Sequence, residues 1–176
     1  QIFKIDFLKS KNEYCFFKKI VEKKNIDKEK SLILSDGQVI FKDNKFKTTF
    51  KKFDCMHTFR SLSNAEIKFR KNSKLFLIIG GKKSTKLKKN KVFNFEKSLK
   101  KIDIWGGKCI SRVFNGLDMT LVLFKLKKGF KFHDKGHKNE QITWLIKGKM
   151  KFYVKNKLAT LNKDSTSVDI GPNEFH

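Results

Sequence analysis

An all-β fold, a sandwich or a barrel, is what this chain predicts, and three observations carry the prediction. Short apolar stretches are interrupted by turn signals at intervals of about 8–12 residues. The interruptions fall on turn-forming pairs such as Asp36-Gly37, Gly80-Gly81 and Gly106-Gly107. The two halves of the chain also share a rhythm of apolar strand, glycine, strand, polar turn and strand.

Taken in order, residues 1–30 are ambiguous. Ile2, Ile5 and Phe7 suggest a strand, and residues 14–24 suit a short helix or a further strand. From Ser31 the pattern sharpens. Residues 32–34 are an apolar run stopped at Asp36-Gly37, and residues 38–41 form a second strand. A Lys-Asp-Asn-Lys turn at 42–45 leads to a third at 46–50. Residues 66–70 and the continuous run Leu75-Phe-Leu-Ile-Ile79 follow. Residues 82–102 are Lys-rich and poor in apolar periodicity, as in a linker. A second series of strands is expected at 109–114, 119–126, 130–133, 142–146, 149–154 and 168–170. The text at 33–41 echoes 145–152, and Lys52-Phe-Asp54 echoes Lys163-Asp164, which suggests an internal duplication. The expected domains are residues 1–81, a linker at 82–102, and residues 103–176.

With 176 residues and 19 Phe the chain can bury a sizeable core. No apolar run reaches the roughly 18 residues that a transmembrane helix needs, so no membrane partner is expected. The net charge of +25 invites a nucleic-acid reading, but only three of the 42 cations are Arg (Arg60, Arg70, Arg112). Arg is the residue suited to bidentate phosphate and base contacts. The lysines are spread from end to end, so no specific nucleic acid is expected, only weak, salt-sensitive binding to polyanions. Cys15, Cys55 and Cys109 are odd in number and form no CxxC. They fit free thiols in a reducing compartment, with the cytoplasm the expectation. The first residue is Gln1, so a start upstream and any targeting segment on it stay open.

The chemistry concentrates in the C-terminal half. His133, Lys135, His137, Glu140 and Gln141 precede an apolar strand that closes on Gly148, and a later turn at 170–176 delivers His176. Histidines two apart on a strand share a face, and adjacent strands can bring in a third imidazole and a side-chain oxygen. Such a set holds a divalent ion and leaves positions open for water or substrate. His133 has the parity of His137, but four residues of extended strand span about 13 Å. Their joint ligation needs a bend, which Asp134-Lys-Gly136 can supply. Glu140 is the alternative to Gln141. His57, the single histidine of the first half, is expected to be structural. Arg60 and Arg112 are open between a substrate carboxylate and the surface, and Trp105 and Trp144 are expected in the core or lining a barrel.

Residues 103–176 resemble the cupin family. The family's first motif, Gly-x5-His-x-His-x3-Glu-x6-Gly, is matched by Gly129, His137 and Gly148, with Gln141 at the glutamate and Lys135 at the first histidine. Asn139-Glu-Gln-Ile142 is similar to the uronate-processing group of small cupins. Ile170-Gly-Pro-Asn-Glu-Phe-His176 resembles the second motif. The resemblance implies a cupin-type double-stranded β-helix, a jelly-roll barrel, duplicated in this chain with a degenerate first half.

It also implies a divalent metal (Fe, Mn, Ni or Zn) on His133, His137, Gln141 and His176, with Lys135 or His133 as the catalytic base. The implied activity is isomerisation or ring-opening of a sugar acid. A non-catalytic sugar-binding cupin and an Fe(II) oxygenase are the alternatives. Because His176 ends the second motif, further strands are expected beyond this chain or from its first half. Open edges then favour a homodimer.

Overall fold

Two antiparallel sheets share one apolar core in the first part of the chain. The larger has the order β1 (Phe3–Lys9), β8 (Lys74–Lys83), β3 (Lys28–Asp36), β6 (Asp54–Thr58) and β9 (Lys91–Asn94). The smaller has the order β2 (Tyr14–Phe16), β7 (Glu66–Phe69), β4 (Val39–Lys42) and β5 (Lys47–Phe50). This computed structural model describes residues 3–9, 14–16, 28–62, 64–70, 72–83, 90–154, 156–162 and 167–176. It divides the chain into two compact units, residues 2–127 and 128–176.

Strand β3 shows why the first unit forms. Its even positions, Leu32 and Leu34, join Met56, Leu75, Leu77 and Ile79 and meet Phe41 and Phe69 of the smaller sheet. Its odd positions point to the opposite face. There a hairpin of β11 (Cys109–Asn115) and β12 (Thr120–Leu126) covers them. Phe114 packs on Phe93 with ring centroids 4.6 Å apart, and the Ser31 hydroxyl donates to Met119 Sδ at 3.3 Å. A strand covered on both faces has to be apolar or hydrogen-bonded throughout, and the apolar run at 32–34 lies in this strand.

The Asp36-Gly37 turn does not close a hairpin. It is a corner that carries the chain from the larger sheet into the smaller one, because β3 and β4 lie in different sheets. Gly37 has φ +78°, and a Cβ there would stand 2.6 Å from Ser73 Cα, so only glycine turns this corner. The turn after β4 is a true hairpin, in which Asp43 Oδ1 accepts the N–H groups of Lys45 and Phe46 at 2.7 and 2.8 Å.

The division of the chain falls after Lys127, not within residues 82–102. Residues 84–89 lie outside the described part, but β8 runs to Lys83 and β9 pairs with β6 on the far side. A helical turn, α1 (Phe95–Ser98), is capped by Asn94, whose Oδ1 accepts from Glu96 and Lys97 N–H. Phe93 and Phe95 are each buried. Two inward aromatics were too faint a pattern to read among the lysines. β10 (Ile102–Ile104) then pairs with β11 at the edge of a three-stranded sheet. Residues 17–24 and the Lys163-Asp164 echo lie outside the described residues.

The second unit contains β13 (Gln141–Thr143) paired with β16 (Val168–Ile170), and a hairpin of β14 (Lys149–Val154) and β15 (Lys157–Asn162). Residues 130–133, expected as a strand, are irregular. Gly129 turns the chain at φ +78°, and at Asp134 the backbone bonds to residue 176 instead of a ladder. Among the described residues no helix is long and apolar enough to cross a membrane.

Candidate metal centre

The two clusters named in the sequence meet inside the second unit. β13 and β16 pair Gln141 with Ile170, which sets the loop before one strand beside the loop after the other. Backbone bonds then lock these loops together. Asp134 N–H donates to His176 O at 2.7 Å, His176 N–H to Asp134 O at 3.1 Å, and Asn173 N–H to His137 O at 2.7 Å. Gly136 sits where they touch. Its φ is +94°, and a Cβ would stand 2.9 Å from Asn173 C and 3.0 Å from Asn173 O.

Asp134, His137 and His176 each offer a ligand atom, and all three atoms lie within 4.8 Å of one another. The two imidazole rings are 5.6 Å apart between centroids and nearly perpendicular, at 81°. Each ring has its Nδ1 on a backbone carbonyl, His137 on Asn139 O at 2.7 Å and His176 on Glu174 O at 3.0 Å. Nδ1–H as the donor leaves Nε2 as the nitrogen able to bind an ion, which is how histidine ligands are oriented in metal sites.

His137 Nε2 stands 3.0 Å from Gln141 Oε1. The amide is itself oriented, because its Nε2 donates to Thr143 Oγ1 at 3.0 Å. Two ligands at right angles on an ion with bonds of about 2.1 Å are separated by about 3.0 Å, so the pair fits adjacent positions on one metal. Without an ion, both ring nitrogens of His137 face carbonyl oxygens. Its pKa is therefore raised, first by the Gln141 contact, against the lowering effect of burial, with Asn139 and the Asp134 charge adding to the rise.

His137, which the sequence offers as a ligand together with Gln141 and His176, stands beside both of them. His133 is not in the group. It is exposed, with its ring stacked 6.3 Å from that of Phe175. Lys135 is also exposed. Asp134 is the member that the reading missed. The bend at Gly136 exists, but it brings Asp134 rather than His133 beside His137. Glu140 is half-buried and is engaged in interactions of its own.

Compared by sequence, the chain matches no protein-family model, and no curated protein is significantly similar to it. Solved structures do match. A Cupin 2 conserved barrel domain protein from Leptotrichia buccalis superposes with a TM-score of 0.63 at 17% identity, over 97% of this chain and 73% of that one. The fold is that of the cupins. Protein Ylba from E. coli gives a TM-score of 0.65 at 13% identity, and AerE from Microcystis aeruginosa gives 0.65 at 12%, each over 85% of this chain. This chain spans 62% of Ylba and 69% of AerE.

Within this cupin fold the remaining candidates have structural places. His57 is buried between Ser31 Oγ, 2.9 Å from Nδ1, and Glu29 Oε1, 3.1 Å from Nε2. The Glu29 carboxylate, fully buried, also accepts the N–H groups of Leu117 and Asp118 at 2.7 Å each. It therefore clamps the tip of the β11–β12 hairpin to β3. Arg60 pairs with Asp43 at 3.4 Å, and Arg112 is half-buried on β11. Trp144 is half-buried, whereas Trp105, expected inside, is 52% exposed in a turn at φ +58°. Gly106 and Gly107 in that same turn also have positive φ, so the turn and not the core sets the tryptophan's place.

Proposed function

We propose that this cupin is a divalent-metal-dependent enzyme for a small oxygen-rich molecule, most simply a sugar acid that is isomerised or ring-opened. The observation that carries the reading is the convergence of His137 Nε2, Gln141 Oε1 and the His176 ring, with both histidines oriented through Nδ1. Imidazole with oxygen donors suits Fe, Mn, Ni or Zn. The residues fit such an ion, and when bound it would supply a Lewis acid for a carbonyl or hydroxyl oxygen. Lys135 and His133, exposed beside the ligand loop, are the groups to hold an anionic substrate and to move a proton. We read the chain as cytoplasmic and dimeric, with a degenerate first half that has lost its metal. Gly37 and Gly148, equivalent in the internal echo, both have positive φ, at +78° and +95°.

A second reading is favoured by one departure. The lysine at the first-histidine position of the motif suits a cupin that binds an anionic sugar without turning it over. Metal content by mass spectrometry on tag-free protein, beside a His137→Ala variant, separates the two. Stoichiometric metal lost in the variant supports the enzyme and directs a screen of uronates. Metal-free protein that still binds a uronate gives the second reading.

A further inference from the structure

We infer that Asp134 is itself a metal ligand, in place of the histidine that the motif spacing puts at Lys135, and that it biases the site toward Fe(II) and Mn(II). The inference rests on the metal reading above and adds to it a residue and a preference. In an extended strand Asp134 and His137, three apart, face opposite sides. Here the chain is irregular from 127 to 137, and Gly136 at φ +94° breaks the alternation. A ligand atom of Asp134 comes within 4.8 Å of those of His137 and His176.

Asp134 is held there from two directions. Its backbone N–H and C=O are both bonded to His176, and its Oδ1 accepts Gly136 N–H at 2.8 Å. A carboxylate has about four lone-pair sites, so that one bond leaves most of its capacity for an ion. The ammonium of Lys135 cannot ligate while protonated, and it is exposed.

The preference follows from the donor set. Two imidazoles with one carboxylate and open positions are the ligands of non-haem Fe(II) sites, and oxygen donors favour Mn(II) as well. Adding the Gln141 oxygen gives two nitrogen and two oxygen donors. A site with a third imidazole would turn toward Ni(II), Cu(II) or Zn(II) instead. Asp134 also lowers the net charge of a site that lies in a strongly cationic chain, which helps it hold a dication.

The test is binding of Mn(II) and Zn(II) to the metal-stripped, tag-free chain. Loss of the free Mn(II) paramagnetic signal and titration calorimetry for Zn(II) supply the readouts. Asp134→Asn keeps an oxygen for Gly136 N–H and removes only the charge, so the loop stays closed. It is expected to weaken Mn(II) by about tenfold or more while Zn(II) falls less. Asp134→His is expected to recover Zn(II) affinity and not Mn(II). Circular dichroism identical to the parent shows that both variants fold.

Mn(II) affinity unchanged in Asp134→Asn, with binding lost in His137→Ala, would overturn this inference and leave the metal reading standing. Binding unchanged in His137→Ala, or no binding of either ion by the parent, would overturn both.

Discussion

Asp134 and His176 exchange both of their backbone hydrogen bonds, at 2.7 and 3.1 Å, although 42 residues separate them. This pair joins the loop before β13 to the loop after β16. The two histidines that form the centre are therefore placed by main chain as much as by their own side chains. The centre's integrity depends on the closeness of those loops, which gives the first prediction.

Gly136→Ala would put a Cβ against the Asn173 carbonyl group and force alanine to φ +94°. The strain is about 1–3 kcal/mol. Metal affinity should fall even though no ligand has changed, as measured by the same Mn(II) and Zn(II) titrations. Parent-like affinity and melting temperature would show that the loops do not need this approach.

Metal affinity should rise with pH. His137 has a pKa raised above the usual 6.5, mainly because its Nε2 faces Gln141 Oε1. In the metal-free protein the charged ring is thus favoured by folding. That contribution to stability is complete below the unfolded value and is lost as pH climbs through the raised one. An ion needs the neutral ring, so proton and metal compete. Affinity should keep increasing above pH 6.5 and level off past the raised pKa, with a proton released on binding. Titrations in buffers of different ionisation enthalpy count that proton, and a flat profile from about pH 6 to about pH 8.5 would contradict the assignment.

Glu29→Ala should be among the costliest single changes in the first unit. It removes the acceptor of two backbone N–H groups and the partner of a buried imidazole. Breaking a buried pair costs about 3–5 kcal/mol. Denaturant unfolding measures it, and a loss under about 1 kcal/mol would mean that water enters and replaces the carboxylate.

Cys55 and Cys109 are buried, and burial raises both thiol pKa values. Thiolate is the reactive form. Both should resist iodoacetamide in native protein and label once it is unfolded, as read by peptide mass spectrometry. Rapid native labelling of Cys55 would show that the space between β3, β6 and the β11–β12 hairpin opens readily.

Much of this was legible in the residues. Leu32, Leu34, Leu75 and Leu77 lie in runs whose composition already specifies strands with a covered face. The resemblance to the cupin motifs pointed to His137, Gln141 and His176 as candidate ligands. Asp134 escaped because strand parity was assumed where the chain has no strand. β9 and β15 escaped because each has a single buried residue, Phe93 and Leu161, and exposes an apolar one, Val92 and Leu158, so neither alternates cleanly. Trp105 was misplaced because a tryptophan reads as core unless the turn that displaces it is seen.

The sequence by itself determined an all-β chain, with its core-forming runs in the first half and its histidine chemistry in the last. Those are local properties, written in alternation, turn residues and motif spacing. Tertiary structure alone decided that the chain divides after Lys127, that Asp36-Gly37 is a corner between sheets, and that Asp134 rather than His133 joins the centre. Each of these depends on which distant backbone groups find one another. A hydrogen bond between residues 134 and 176 leaves no periodicity in the text of either segment.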